Sequence, residues 1–352
     1  MLHFRLEPGQ RVLAPSLSYS KEVRAIVITS INEPTKAVRK FAEIGGDYKV
    51  FVVGDQRTPE GWSVPGIRFL SRTQQEAMTR FRLVAHLPDN HYCRKMVGYL
   101  EAIADGAESI LDTDDDNIPI QNCEFPEMDD FYETTNRNLG YVNMYHSFTG
   151  ANIWPRGLPL NLILEDYRDL STEKLEVNVG VFQGLANGAP DVDAIYRLTI
   201  NRAVDFDDRP PIVLDQGTIS PFNSQNTLFR RDCYPLLYLP MSVTFRYTDI
   251  LRSIVAQPAM WAAGFRLGFT KATVFQDRNV HDNFQDFLSE IPMYETTRLA
   301  TDLAIQSTSP SRSIRGNMRE IYRRFATEGI VQDREIESLE AWLADLRELG
   351  IE

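Results

Sequence analysis

The chain has 352 residues, 43% of them hydrophobic and 24% charged, with a formal net charge of −12. That length exceeds what a single core usually fills, so one large domain with an appendage is expected, and the composition is that of a folded protein. The acidic balance argues against a protein that coats nucleic acid, although a local pocket or bound cation can still admit an anionic small substrate.

Three cysteines, Cys93, Cys123 and Cys233, lie far apart without metal-ligand spacing, which fits a reducing compartment. The segment Met1 to Pro8 lacks the apolar core of a signal peptide. No stretch approaches the roughly 20 apolar residues of a membrane span. The expectation is a cytoplasmic protein with no membrane span and no nucleic-acid partner.

In chain order, Arg24 to Thr29 is a β-branched apolar run that predicts a buried strand. Pro34 suits a first helical turn, and Ala37, Val38, Phe41 and Ile44 recur at helical spacing before Gly45-Gly46. Tyr48 to Val53 predicts a second strand, closed by Gly54-Asp55. Met96, Val97, Leu100, Ile103 and Ala104 predict a second helix ending at Gly106, and Ser109 to Leu111 a third strand running into Asp112. Such alternation predicts a parallel sheet with helices on its faces, and ligands in such sheets bind beyond the carboxyl ends of the strands. Three polar clusters fall at those ends, beginning at Thr29, Gly54 and Asp112, and are expected to converge.

The stretch from Phe125 to Pro240 is rich in Pro, Gly and Asn and resists division. Trp261 to Phe275 reads as helix then strand, and the chain reads as helical from Glu295 onward. Leu339, Trp342, Leu343, Leu346 and Leu349 form an apolar stripe, with Glu337, Glu340, Asp345 and Glu348 on the opposite face. That helix is expected to pack on the main domain.

Asp112, Asp114, Asp115 and Asp116 place four carboxylates within five residues. A solvated turn is one reading. The other is a hard divalent cation, which prefers carboxylate oxygens, relieves their repulsion and can bridge a diphosphate. The exit of a buried strand favours the cation. A calcium-binding helix-loop-helix is excluded, because no glycine and terminal glutamate follow in register.

Ile26 to Thr35, Val52 to Asp55 and Asp112 to Pro119 resemble signature blocks of the STELLO-like glycosyltransferases. So do Val181 to Asn187, Pro190 to Leu198 and Pro221 to Thr227. The resemblance runs from about Ala25 to Tyr294, with the last part of the chain outside it. More weakly, the acidic run and Arg156-Gly157-x-Pro159 are similar to the reversibly glycosylated polypeptides, which are nucleotide-arabinose mutases. The resemblance implies an α/β fold of the glycosyltransferase-A type, a mixed Rossmann-like sheet flanked by helices. It also implies a nucleoside diphosphate sugar donor and a manganese or magnesium ion at an Asp-x-Asp motif. Residues 1–294 would form the catalytic domain and 295–352 a helical extension. Thr29, Asn32 and Asp55 would line the nucleoside, with Arg94 or Lys95 facing base or phosphates and Asp115 among the nucleotide contacts. Asp114 and Asp116 would hold the metal, with His281 as a third ligand beside Asp277, Asp282 and Asn283.

Other residues carry two readings each. Asp249, in Arg246 to Arg252, is a general base for an acceptor hydroxyl, or a helix cap or partner of Arg252. Arg252 would otherwise hold the diphosphate with its planar fork. Arg156 is a mutase-like sugar contact or a surface arginine. Asp191 and Asp193 touch sugar hydroxyls or shape a turn. Trp154 and Trp261 read as core. The leading function is transfer of a sugar to a glycan or other hydroxyl acceptor. The alternatives are a nucleotide-sugar mutase and a non-catalytic sugar-nucleotide-binding scaffold.

Overall fold

The computed structural model describes residues 23–44, 48–279 and 282–352. Its first strands and helices are β1 (Arg24–Thr29), α1 (Lys36–Ile44), β2 (Tyr48–Val53), β3 (Ile67–Leu70), α2 (Arg72–Glu76), α3 (Lys95–Ala104) and β4 (Ser109–Asp114). The middle supplies β5 (Asn117–Pro119), β6 (Asp129–Thr135), β7 (Gly140–Tyr141), β8 (Thr172–Gly188), α4 (Ala194–Thr199), β9 (Ile212–Leu214), β10 (Thr218–Ile219) and β11 (Asn226–Arg230). The chain continues through α5 (Thr248–Ala262), β12 (Arg266–Gln276), α6 (Asn283–Ser307), α7 (Ile314–Thr327) and α8 (Arg334–Glu348).

Ten strands form one mixed sheet in the order β3-β2-β1-β4-β11-β8-β6-β9-β12-β5, with β8 also pairing to β12. The protein is thus α/β, a large mixed sheet flanked by helices and followed by C-terminal helices, consistent with the glycosyltransferase-A type. β1 pairs in parallel with β2 and β4, and β2 with β3. Residues of β1 alternate between faces, so Ile26 and Ile28 join Val38 and Phe41 of α1 in one core. Val27 joins Met96 and Val97 of α3 in the other. This two-sided burial explains why β1 is uniformly apolar rather than alternating.

The middle of the chain is built on the 17-residue β8, which the sequence analysis left undivided. Its first half pairs with β6, and its second half with β11 and β12. At the other end, α6 begins at Asn283 rather than near Glu295 and runs across the expected boundary at 294. Its Met293, Ala300, Leu303 and Ala304 share the core of α3 and α5. In α8, Leu339, Trp342, Leu343 and Leu346 are buried as the stripe predicts. Asp345, expected on the polar face, is instead buried. Its carboxylate accepts from the Arg82 and Leu83 backbone N–H groups at 2.9 Å each, which satisfies the charge.

α3 lies close to the sheet because Gly98 has no side chain: a Cβ there would stand 2.6 Å from Val27 Cγ1 and 2.7 Å from Val53 Cγ2. Gly98→Ala should therefore lower unfolding free energy by about 1–3 kcal/mol, the range of overpacked cores, in urea denaturation. An unchanged midpoint would mean that α3 does not sit at this distance.

Candidate active site

The parallel registers place Thr29 beside Asp114 on one side and Val53 on the other, so the three polar clusters meet at the carboxyl ends of β1, β2 and β4, as expected. β4 itself runs on through Asp114. Asp112 and Thr113 are accordingly interior strand residues, fully buried, and not the strand's exit. Asp112 accepts from Lys95 Nζ, Arg252 Nη1 and Ser224 Oγ, each at 2.8 Å. Lys95 also donates to the Thr113 carbonyl at 2.8 Å and to Asp114 Oδ1 at 2.9 Å, which uses all three of its N–H groups inside the protein. Burial opposes the Lys95 charge, but Asp112 and Asp114 outweigh it and raise its pKa. Two side-chain cations thus relieve the repulsion at Asp112, and that carboxylate needs no metal in order to fold.

The other three carboxylates face a cleft. Asp115 accepts from Ser30 Oγ at 2.5 Å and Asn32 Nδ2 at 2.9 Å, so it ties the β1 exit to the β4 exit. Asp114 is pushed up to about 7 by burial, to which Asp116 and Asp112 add and which Lys95 opposes. Burial, then Asp115, raises Asp116 as well. Asp116 Oδ2 accepts from Gln276 Nε2 at 3.2 Å, while its Oδ1 is buried without a partner. Among the described residues, no group of three or more His, Cys, Asp and Glu side chains is arranged to hold a metal ion. His281, the expected third ligand, lies outside the described residues.

Two cavities adjoin here. The larger, about 530 Å³, is lined by Thr29, Asn32, Asp55, Arg57, His91 and Arg94 among others. The smaller, about 240 Å³, is lined by Asp114, Asp116, Arg156, Asp191, Asp249 and Gln276 among others. Thr29, Tyr92, Asp115, Phe245 and Asn279 line both, so the two form one cleft. Asp55 accepts from the Gln56 and His91 backbone N–H groups at 2.7 and 3.1 Å. Arg94 is buried, and it donates through Nε to Gln75 Oε1 at 2.9 Å and through Nη1 to the Leu87 and Pro88 carbonyls.

Arg156 is buried, in contrast to a loop arginine at the surface. It donates through Nε and Nη2 to Asp191 at 3.0 and 2.7 Å, through Nη1 and Nη2 to Asp249 at 2.9 Å each, and to the Arg246 carbonyl. Burial favours a protonated Asp249, but Arg156, Arg252 and the Ser224 N–H outweigh it and hold the carboxyl well below its usual range. Asp249 is thereby a fixed anion and a weak base. Arg252, one helical turn further along α5, is turned inward to Asp112 and to the Asn223 carbonyl. Asp193 caps α4 through the Tyr196 N–H and accepts from Trp154 Nε1 at 2.8 Å, a structural pairing that leaves Asp191 as the cleft residue.

The sequence analysis missed Tyr92 and Phe245. Phe245 is 50% exposed, and its ring meets those of His91 and Tyr92 edge-on where the cavities join. No spacing rule finds an aromatic in an irregular loop; its one signal is its place just before Arg246.

Asp112→Asn would leave Lys95 and Arg252 short of a buried counter-charge, and should cost about 3–5 kcal/mol in chemical denaturation. A loss below about 1 kcal/mol would show that the cluster is not closed. Burial also lowers His91 to about 4, against the pull of Asp55. Between pH 6.5 and 4 the unfolded chain binds a proton at this site that the folded chain does not. The contribution is therefore whole above 6.5 and falls as pH drops toward 4. His91→Gln should flatten the fall of melting temperature across that window, and parallel curves for the two proteins would refute the assignment.

Residues 246–352 match the family described as STELLO glycosyltransferases. The chain is also similar to two Arabidopsis thaliana proteins. It is 30% identical over 347 residues to "Probable glycosyltransferase STELLO1", covering 92% of this chain and 44% of that protein. It is 29% identical over 359 residues to "Probable glycosyltransferase STELLO2", covering 96% of this chain and 46% of that one. The chain therefore spans less than half the length of these relatives. The likeness does not stop near Tyr294 as expected: the C-terminal helices fall within the matched family region. Over most of its length the chain is thus similar to proteins named as probable STELLO glycosyltransferases, and its C-terminal third matches the family model of that description.

Proposed function

We propose that this chain transfers a sugar from a nucleoside diphosphate donor to a glycan or other hydroxyl acceptor, with magnesium or manganese as cofactor and in the reducing setting of the cytoplasm. The observation that carries the proposal is the unpartnered, buried Asp116 Oδ1, in the same cavity as an Asp114 whose carboxyl is raised by burial and then by Asp116. Such carboxylates suit a hard cation. Magnesium in particular is commonly held by one or two carboxylates, with substrate phosphates and water completing its shell. Asp114 and Asp116 would be its protein ligands. The ion would supply Lewis-acid stabilisation of the charge left on the departing nucleoside diphosphate.

The chain's own groups divide the remaining work. Thr29, Asn32 and Asp55 would hold the nucleoside in the larger cavity, with Phe245 and His91 as aromatic walls. Asp115 fixes the β1 and β4 exits relative to one another, so nucleoside and diphosphate sites keep a set distance. Lys95 and Arg252 act from behind, by holding Asp112 and Asp114 in place. Arg156, clamped by Asp191 and Asp249, presents a rigid wall to the sugar. That clamp is also why transfer is favoured over a mutase reaction: all five N–H groups are engaged, and a sugar bonded to any of the three nitrogens would displace one of these contacts.

The double variant Asp114→Asn, Asp116→Asn should abolish the manganese-dependent rise in melting temperature with nucleotide sugars, while a circular dichroism spectrum stays native. Metal-dependent binding that survives in the double variant would rule out this placement. Release of nucleoside diphosphate on adding acceptor supports transfer, whereas ring-form exchange without release would replace it with the mutase.

A further inference from the structure

The smaller cavity sets four arginines, among them Arg156, beside its acids. Arg197 on α4, Arg246 just before α5 and Arg278 just after β12 all line it, and none of them lines the larger cavity. Two arginines in and beside this cavity are matched closely to acids: Arg156 to Asp191 and Asp249, and Arg252 to Asp112. Arg246 follows that pattern with Glu290, at 2.7 Å, and Arg278 with Asp286, at 3.1 Å.

Arg197 does not. It is 7% exposed, its Nη2 donates to the Pro190 carbonyl at 2.7 Å, and its Nε is buried with no partner. Among the described residues no carboxylate forms an ion pair with it. The nearby Asp191 is already committed to Arg156. Burial lowers the Arg197 pKa to about 10, and the like charges of Arg278 and Arg246 contribute to that shift. A buried guanidinium with a spare donor, crowded by two others, is unfavourable unless an anion completes it.

We propose that Arg197, flanked by Arg246 and Arg278, recognises an anionic group, a carboxylate or phosphate, carried by the transferred sugar or by its acceptor. The guanidinium fork suits such planar or tetrahedral oxyanions, and charge-assisted bonds of this kind are about twice as strong as neutral ones. The group is distinct from the donor's diphosphate. The three arginines line only the smaller cavity, which they share with Asp114 and Asp116, and none lines the cavity of the nucleoside residues, so competition between phosphate and nucleotide is what separates the two assignments. This division rests on the glycosyltransferase reading; the existence of an anion site at Arg197 does not.

The test is a thermal-shift titration of the full chain with inorganic phosphate, in the presence of magnesium and saturating UDP or GDP. Phosphate should raise the melting temperature further, and Arg197→Gln should weaken that phosphate response by about tenfold or more. Arg278→Gln, at a less buried site, should weaken it too, which keeps the test open if the Arg197 variant folds poorly. Phosphate that competes with the nucleotide, or an undiminished phosphate response in both variants, would overturn the proposal. A phosphate response without any nucleotide response would leave the anion site standing and bring down the glycosyltransferase reading instead. Tighter binding of UDP-glucuronate than of UDP-glucose, lost in Arg197→Gln, assigns the anion to the donor sugar. Equal binding of the two alongside the phosphate response assigns it to the acceptor.

Discussion

Asp112 sits in the middle of a strand, where a carboxylate has no water, and it survives there because two cations from different helices come to it. Lys95 reaches it from the first turn of α3 and Arg252 from α5, with Ser224 adding a third donor. An isolated charge at that depth would cost several kcal/mol, so the three elements are held to one arrangement. Everything at the mouth of the cleft inherits that constraint. Lys95 carries the order outward to Asp114, and Ser224, through its N–H at 3.1 Å, ties the loop before β11 to Asp249.

The cleft built on this base is polar in an uneven way. The larger cavity has hydroxyl and amide groups with aromatic edges, and the smaller one sets crowded acids beside arginines. Charges of opposite sign thus share one end of the cleft. Burial first, and neighbouring carboxylates after it, raise Asp114 and Asp116, the condition under which a cation or a proton is welcome. The protein resists closing this gap with its own side chains, which is what a binding site does and a structural core does not.

Much of the sheet was legible because apolar runs are unambiguous when both faces are covered: β1 and β2 have the limits their sequences suggest. β8 was not, because Gly180, Gly184 and Gln183 interrupt its alternation. Those glycines are required by contact, since a Cβ would stand 2.7 Å from Cys233 Sγ at Gly180 and 2.5 Å from Asn226 Nδ2 at Gly184. The acidic run could be found by eye, but its division of labour could not. The partners that separate Asp112 from Asp114 and Asp116 stand 17 and 140 residues away along the chain. Asp345 misled for the same reason: its helix face looks polar until the backbone of residues 82 and 83 arrives to bond it.

That last contact has a partner further down the chain. Glu335, also buried, accepts from the Met241 and Ser242 backbone N–H groups and from Tyr238 Oη. The two acids of α8 therefore fasten the loop ahead of His91 and the loop ahead of Phe245, both of which rim the cleft. These contacts add to those that Asp55 and Arg94 make with the first loop and that Thr244 makes from the second. A helix that lends no side chain to the lining of either cavity thus braces the cleft on two sides at once.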